Sequence, residues 1–151
     1  MIVHSVRGRT LLVIPIRFAL GLVWLVAARL VGASSGSVLI AFGLGAAGLT
    51  FLAFNDPRSR FAHGEVEPLP LPSDAAVAPR WRQALAATLP STVGVSFLAA
   101  IALAVDPTLA ALLGGVCAGL GVAALLMLPR LPGDLHVDPQ TKLMYRRANG
   151  V

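Results

Sequence analysis

Four apolar blocks, Leu12 to Val31, Gly36 to Phe54, Ala84 to Val105 and Thr108 to Leu128, hold most of the hydrophobic residues of this 151-residue chain. Each is close to the roughly 20 residues that carry an α-helix across a hydrocarbon core at about 1.5 Å per residue. The only charges inside them are Arg17 and Arg29. A soluble domain of this size needs a charged surface, yet charged types make up 13% of the chain and hydrophobic types 56%, against roughly 25% charged in ordinary soluble domains. The expected fold is therefore an all-α integral membrane protein, a four-transmembrane-helix bundle forming one membrane domain over residues 1–151.

Placement of the basic residues explains the net charge of +5 and the pI near 11.1. Arg7 and Arg9 precede the first block, Arg58, Arg60, Arg80 and Arg82 lie in the loop 55–83, and Arg130, Lys142, Arg146 and Arg147 lie in the tail 129–151. In a four-span protein these three segments share one side, whereas the connectors Gly32 to Ser35 and Asp106 to Pro107 hold no Lys or Arg. The positive-inside rule then puts both termini in the cytoplasm of a bacterial-type inner membrane. Because the excess base follows this alternation, it is a topology signal and points to no nucleic-acid partner.

Arg17 and Arg29 are twelve residues apart, about 18 Å along a helix. Long arginine side chains reach toward opposite interfaces over that distance, so the pair reads as depth anchors. Arg29 and Asp106, the cation and the anion at the outer side, also suit an ion pair. Pro15 fits a first-turn position, where a missing N–H does least harm. The two arginines also interrupt what would be the apolar core of a cleaved leader, so the first block is read as a retained span.

Helices in lipid associate through close packing of small side chains. Ala111, Gly115, Gly119 and Ala123 recur every four residues in the last block, and Ala41, Gly45 and Gly48 give a shorter version in the second. Either set serves packing inside the bundle or contact with a copy or another protein. Thr88, Thr92 and Ser96 form a polar stripe at i, i+4 and i+8 in the third block, where hydroxyls ordinarily bond to carbonyls of the preceding turn.

No Asp, Glu, Lys or His lies in the middle of any block, which argues against coupled transport and proton relay. His4, His63 and His136 are far apart in sequence and outside the blocks, so neither haem ligation nor a metal site is indicated. No nucleophile motif or phosphate-binding loop appears. The expectation is a non-enzyme without catalytic, cofactor or metal residues.

The loop contains Glu67-Pro68-Leu69-Pro70-Leu71-Pro72, whose alternating prolines favour an extended polyproline strip used as a spacer. Arg80-Trp81-Arg82 marks the return to the bilayer. In the tail, Leu135-His136-Val137 and Leu143-Met144-Tyr145 flank Asp138-Pro139-Gln140-Thr141, where Asp then Pro suit a type I turn, so a short cytoplasmic β-hairpin is expected. A lone hairpin is marginal and needs something to dock on. These features lead to an accessory subunit of a larger integral-membrane complex, of respiratory or photosynthetic kind, with the lipid bilayer and other membrane subunits or a second copy as partners. The alternative is a small oligomeric transporter or channel using the Thr88, Thr92 and Ser96 face.

Overall fold

The computed structural model describes residues 2–55, 69–88, 91–131, 133–138 and 143–146. Its element order is β1 (Ile2–Ser5), α1 (Val6–Leu30), α2 (Ser35–Asn55), β2 (Leu69–Pro70), β3 (Ala76–Val77), α3 (Arg80–Thr88), α4 (Ser91–Val105), α5 (Pro107–Met127), a 3-10 turn (Leu128–Arg130), β4 (Leu135–Val137) and β5 (Met144–Arg146). The chain is mostly helical. Three segments, Val6–Leu30, Ser35–Ala53 and Pro107–Arg130, are long and apolar enough to cross a membrane.

The first helix starts earlier than its apolar block because Ser5, in extended backbone, caps it: its side chain accepts from Gly8 N at 3.1 Å. Pro15 consequently lies well inside α1, on its exposed face, and not in the first turn. The third block is described as two helices and not one. α3 and α4 flank residues 89–90, which lie outside the described residues and include Pro90, a residue type that disfavours helix at itself and just before it. What remains, α4, has 15 residues, about 22 Å of helix. The block's polar leader folds too: α3 begins at Arg80, and Arg82 lies over the Trp81 ring at 5.1 Å.

The tail hairpin pairs as the sequence implies, Leu135 with Arg146, His136 with Tyr145 and Val137 with Met144, while residues 139–142 of its turn lie outside the described residues. It is part of a five-stranded sheet in the order β2-β5-β4-β1-β3. β1 pairs antiparallel to β4 and parallel to β3, and β2 pairs parallel to β5. The segment before α1, the loop after α2 and the tail after α5 thus meet at one end of the bundle.

The proline strip departs from expectation. Leu69 and Pro70 form an edge strand, and Leu71 N donates to Arg146 O at 3.0 Å. An edge position accommodates Pro70 because only one side needs a partner. Arg58, Arg60, His63 and Glu67-Pro68 lie outside the described residues.

The core follows α5, whose buried residues include Ala110, Ala111, Gly114, Gly115, Cys117, Ala118 and Gly119. α1, α2 and α4 all pack on it. At the end away from the sheet, Ala28, Val38 and Ala111 form a tight cluster with Leu25, Ala33 and Leu103 against it.

Candidate functional site

Arg17, Gly21, Trp24 and Ala28 fall at i, i+4, i+7 and i+11 of α1, a single helical stripe. Two of its members are small, and they bring the stripe against α5. A Cβ on Gly21 would lie 2.9 Å from Gly114 O, one on Gly114 would lie 2.8 Å from Trp24 Cβ, and one on Gly121 would lie 3.4 Å from Arg17 Cβ. With backbones this close, the long members of the stripe fill the seam between α1, α4 and α5.

Arg17 is therefore half-buried and turned into the protein. Its Nη1 donates to Leu120 O at 3.1 Å and its Nε donates to Thr92 Oγ1 at 3.3 Å. Thr92 is fully buried. This corrects the reading of Arg17 as an anchor reaching outward: the carbonyl and hydroxyl offer its guanidinium acceptors inside the bundle. One turn along, Ser96 faces Cys117, which is fully buried. The Trp24 indole N–H is buried without a hydrogen-bond partner.

The Thr88 hydroxyl donates to Leu85 O at 3.1 Å, a carbonyl of its own helix. The stripe of three hydroxyls is thus divided: Thr92 receives Arg17, Ser96 faces Cys117, and Thr88 satisfies its own helix.

The small residues of α5 are used within the chain. A Cβ on Gly115 would collide with Phe42 O, one on Gly119 with Ala46 O, and one on Gly45 with Leu112 O. Ala111 and Ala123 are buried on α5, and Ala41 on α2. Thr50 Oγ1 reinforces the crossing, donating to Ala46 O at 2.7 Å with Gly119 O at 3.2 Å as a second acceptor. Gly48 differs from the rest: nothing lies within 4 Å of a Cβ built there, nor at Gly36 or Gly43. On α2 the open residues Gly36, Gly43 and Ala47 share an outward stripe with Ile40, Leu44 and Phe51, all exposed.

Arg29 and Asp106 do not meet. Arg29 Nη1 donates to Ala33 O at 2.9 Å, and the Asp106 carboxylate accepts from Thr108 N at 2.8 Å. Asp106 is in extended backbone before Pro107, the geometry of a helix N-cap, so the first turn of α5 already holds its side chain.

No family model, curated protein or solved structure matches this chain.

A second polar group lies in the sheet. His4, His136 and Asp138 are buried there, and Gln83 of α3 is buried with its Nε2 donating to Ala78 O at 2.6 Å. His136 Nδ1 is 2.9 Å from Asp134 O, while His4 Nδ1 is buried without a partner. Burial pushes the His4 imidazole below its ordinary pKa of 6.5; the charge of Arg9 lowers it further and that of Asp138 opposes both. Among the described residues no three His, Cys, Asp or Glu side chains are grouped to hold a metal. Arg146 Nε pairs with Asp134 at 2.9 Å.

Trp24, Cys117 and the Leu120 carbonyl are the seam members that the sequence reading passed over. The signal was present in the spacing of Gly21 and Ala28: small residues in register with Arg17 and Trp24 mark the face of α1 that meets another helix.

Proposed function

We propose that the protein is an integral membrane protein of four spans with both termini on the cytoplasmic side of a bacterial-type inner membrane, serving as an accessory subunit of a larger membrane complex. Three long apolar helices support the span reading, as do the large side chains they present outward, such as Leu22, Val26, Ile40, Leu44 and Phe51, each more than half exposed. α3 and α4 together supply the remaining crossing, with Trp81 at the headgroup level. The sheet supports the topology, because it joins the chain's start, middle loop and tail at one end, which requires an even number of crossings between them. That end also carries Arg7, Arg80, Arg82 and Arg130.

The observation that carries the assembly reading is the outward stripe of Gly36, Gly43 and Ala47 on α2. The small residues of α5 are consumed inside the chain, whereas this stripe is smooth and open. Native mass spectrometry after extraction in mild detergent tests it. A stable larger assembly is expected, and Gly43→Leu with Ala47→Leu should release the partner while leaving the bundle folded. A wild-type monomer with no partner ends the reading.

The hydrogen bond from Arg17 to Thr92 favours a second reading, a small transporter or channel. Thr92→Val with Ser96→Ala would then abolish flux in proteoliposomes with assembly intact; unchanged flux, or none in the wild type, excludes it.

A further inference from the structure

α3 has two unlike faces. Gln83 holds the inner one: it is buried, its Nε2 donates to Ala78 O at 2.6 Å, and its Oε1 sits over Gly8, where a Cβ would lie 3.0 Å away. The absence of a side chain at Gly8 lets α3 lie against the start of α1. Because that contact fixes the rotation of α3, it also fixes what points away. Trp81 and Leu85 fall at i and i+4 on the side opposite Gln83, and they are 60% and 52% exposed. Arg80 and Arg82 flank Trp81, each about 100° round the helix from it, and both are exposed. The Arg82 guanidinium lies over the Trp81 ring at 5.1 Å.

Such a face is unfavourable in water and suited to a headgroup layer. An indole ring and a leucine bury apolar area at the acyl boundary while arginine side chains reach the phosphates. The charge on this face is not balanced within the protein: α3 and α4 contain no acidic residue, and among the described residues no ion pair takes Arg80 or Arg82. A phosphodiester offers two oxygens in the geometry that a guanidinium fork matches. Zwitterionic and anionic lipids both carry that phosphate, and charge separates them. The choline group of phosphatidylcholine would bring a third cation beside the two arginines, whereas phosphatidylglycerol brings none.

We propose that the outward face of α3 binds one anionic phospholipid, its phosphate held by Arg80 and Arg82 and its upper acyl chain packed on Trp81 and Leu85. This selection rests on the reading of the chain as integral to a membrane. Arg7 is at the same end of the bundle but belongs to another surface, since a Cβ on Gly133 would lie 3.7 Å from its Nη1. Selection by α3 is therefore separable from attraction by the whole basic end.

Trp24→Phe leaves Trp81 as the remaining tryptophan, and the full-length chain with that change is placed in phosphatidylcholine nanodiscs containing a minor fraction of phosphatidylglycerol. Bromine atoms high on the acyl chains quench indole emission on contact. They are carried on the phosphatidylglycerol in one sample and on an equal fraction of the phosphatidylcholine in the other, each read against unbrominated discs. Brominated phosphatidylglycerol should quench Trp81 more strongly, and added salt should shrink the difference. Arg80→Gln and Arg82→Gln should each weaken the preference roughly fivefold, the weight of one basic side chain near an anionic surface, and together remove it. Arg7→Gln should leave it nearly unchanged. All three arginines are exposed, so these variants should keep the bundle folded. Equal quenching by the two lipids, or the same loss with Arg7→Gln as with the α3 substitutions, overturns the proposal. A chain that does not enter the nanodiscs ends the membrane reading and this one with it.

Discussion

Two polar residues, buried His4 and exposed Asp106, do different things in this protein, and their protonation and capping chemistry separates them. His4 is held in β1 opposite Val137, its ring enclosed and its pKa lowered by burial first and by Arg9 second. The folded state therefore resists protonating His4, while the unfolded chain takes up a proton near 6.5. Stability from this group is complete above that pH, falls as pH drops through it toward the lowered folded value, and falls no further below. The thermal midpoint measured at pH 7.5 and at pH 5.5 should decrease, and His4→Asn should show a smaller decrease over the same interval. Asp106 acts differently, as a cap. Replacing it with Ala should lower stability by about 1 kcal/mol, and Asn should retain most of it. Because Arg29 bonds its own C-terminal turn at Ala33, a double-mutant cycle between Arg29→Ala and Asp106→Ala should give a coupling energy near zero. A coupling near 1 kcal/mol would show that the two charges meet.

At the scale of the element, the α2 and α5 crossing separates glycines that permit packing from glycines that lie open. Gly115 and Gly45 face carbonyls of the opposite helix with no room for a methyl group, whereas nothing approaches Gly43. Gly115→Ala must push the helices apart and should cost about 1–3 kcal/mol. Gly43→Ala adds helix propensity without a clash, and should be neutral or stabilise by up to about 1 kcal/mol. Chemical denaturation in detergent distinguishes the two; equal losses would mean that α2 packs by another face. The recurrence of small residues every four positions was legible in the sequence, as were the limits of α2 and α5, because composition alone reports an apolar helix. The partner of that face was not legible, since one stripe suits an internal helix or a neighbour equally. In the third block apolar composition continues through Pro90, and composition carries no account of where helix is described, Arg80–Thr88 and Ser91–Val105. Arg17 misled for a geometric reason, because sequence depth says how far along α1 a side chain sits, and only the register with Gly21 and Ala28 says that it turns inward.

At the scale of the whole molecule, the sheet ties together parts of the chain that no local pattern connects. The hairpin of β4 and β5 could be read from its turn and flanking residues, but Ile2–Ser5 is too short to show a strand period, and Leu69–Pro70 contains a residue that disfavours strands. Their pairing comes from need, since β4 and β5 each had an open edge and these two segments end beside them. A topological consequence follows. If the sheet lies on the cytoplasmic side, then Ser73, between β2 and β3, lies with it, and Ser34, between α1 and α2, lies on the other side; both are exposed. Cys117 is buried and is removed by Cys117→Ser, leaving single reporters at Ser34→Cys and Ser73→Cys. In intact cells a membrane-impermeant maleimide should label the reporter at 34 and leave the one at 73 unlabelled until the membrane is opened. The reverse pattern would invert the orientation and set the positive-inside bias aside for this chain. Labelling of both in intact cells would mean that α2 does not cross the membrane and would end the proposed four-span arrangement in which α3 and α4 together complete the third crossing.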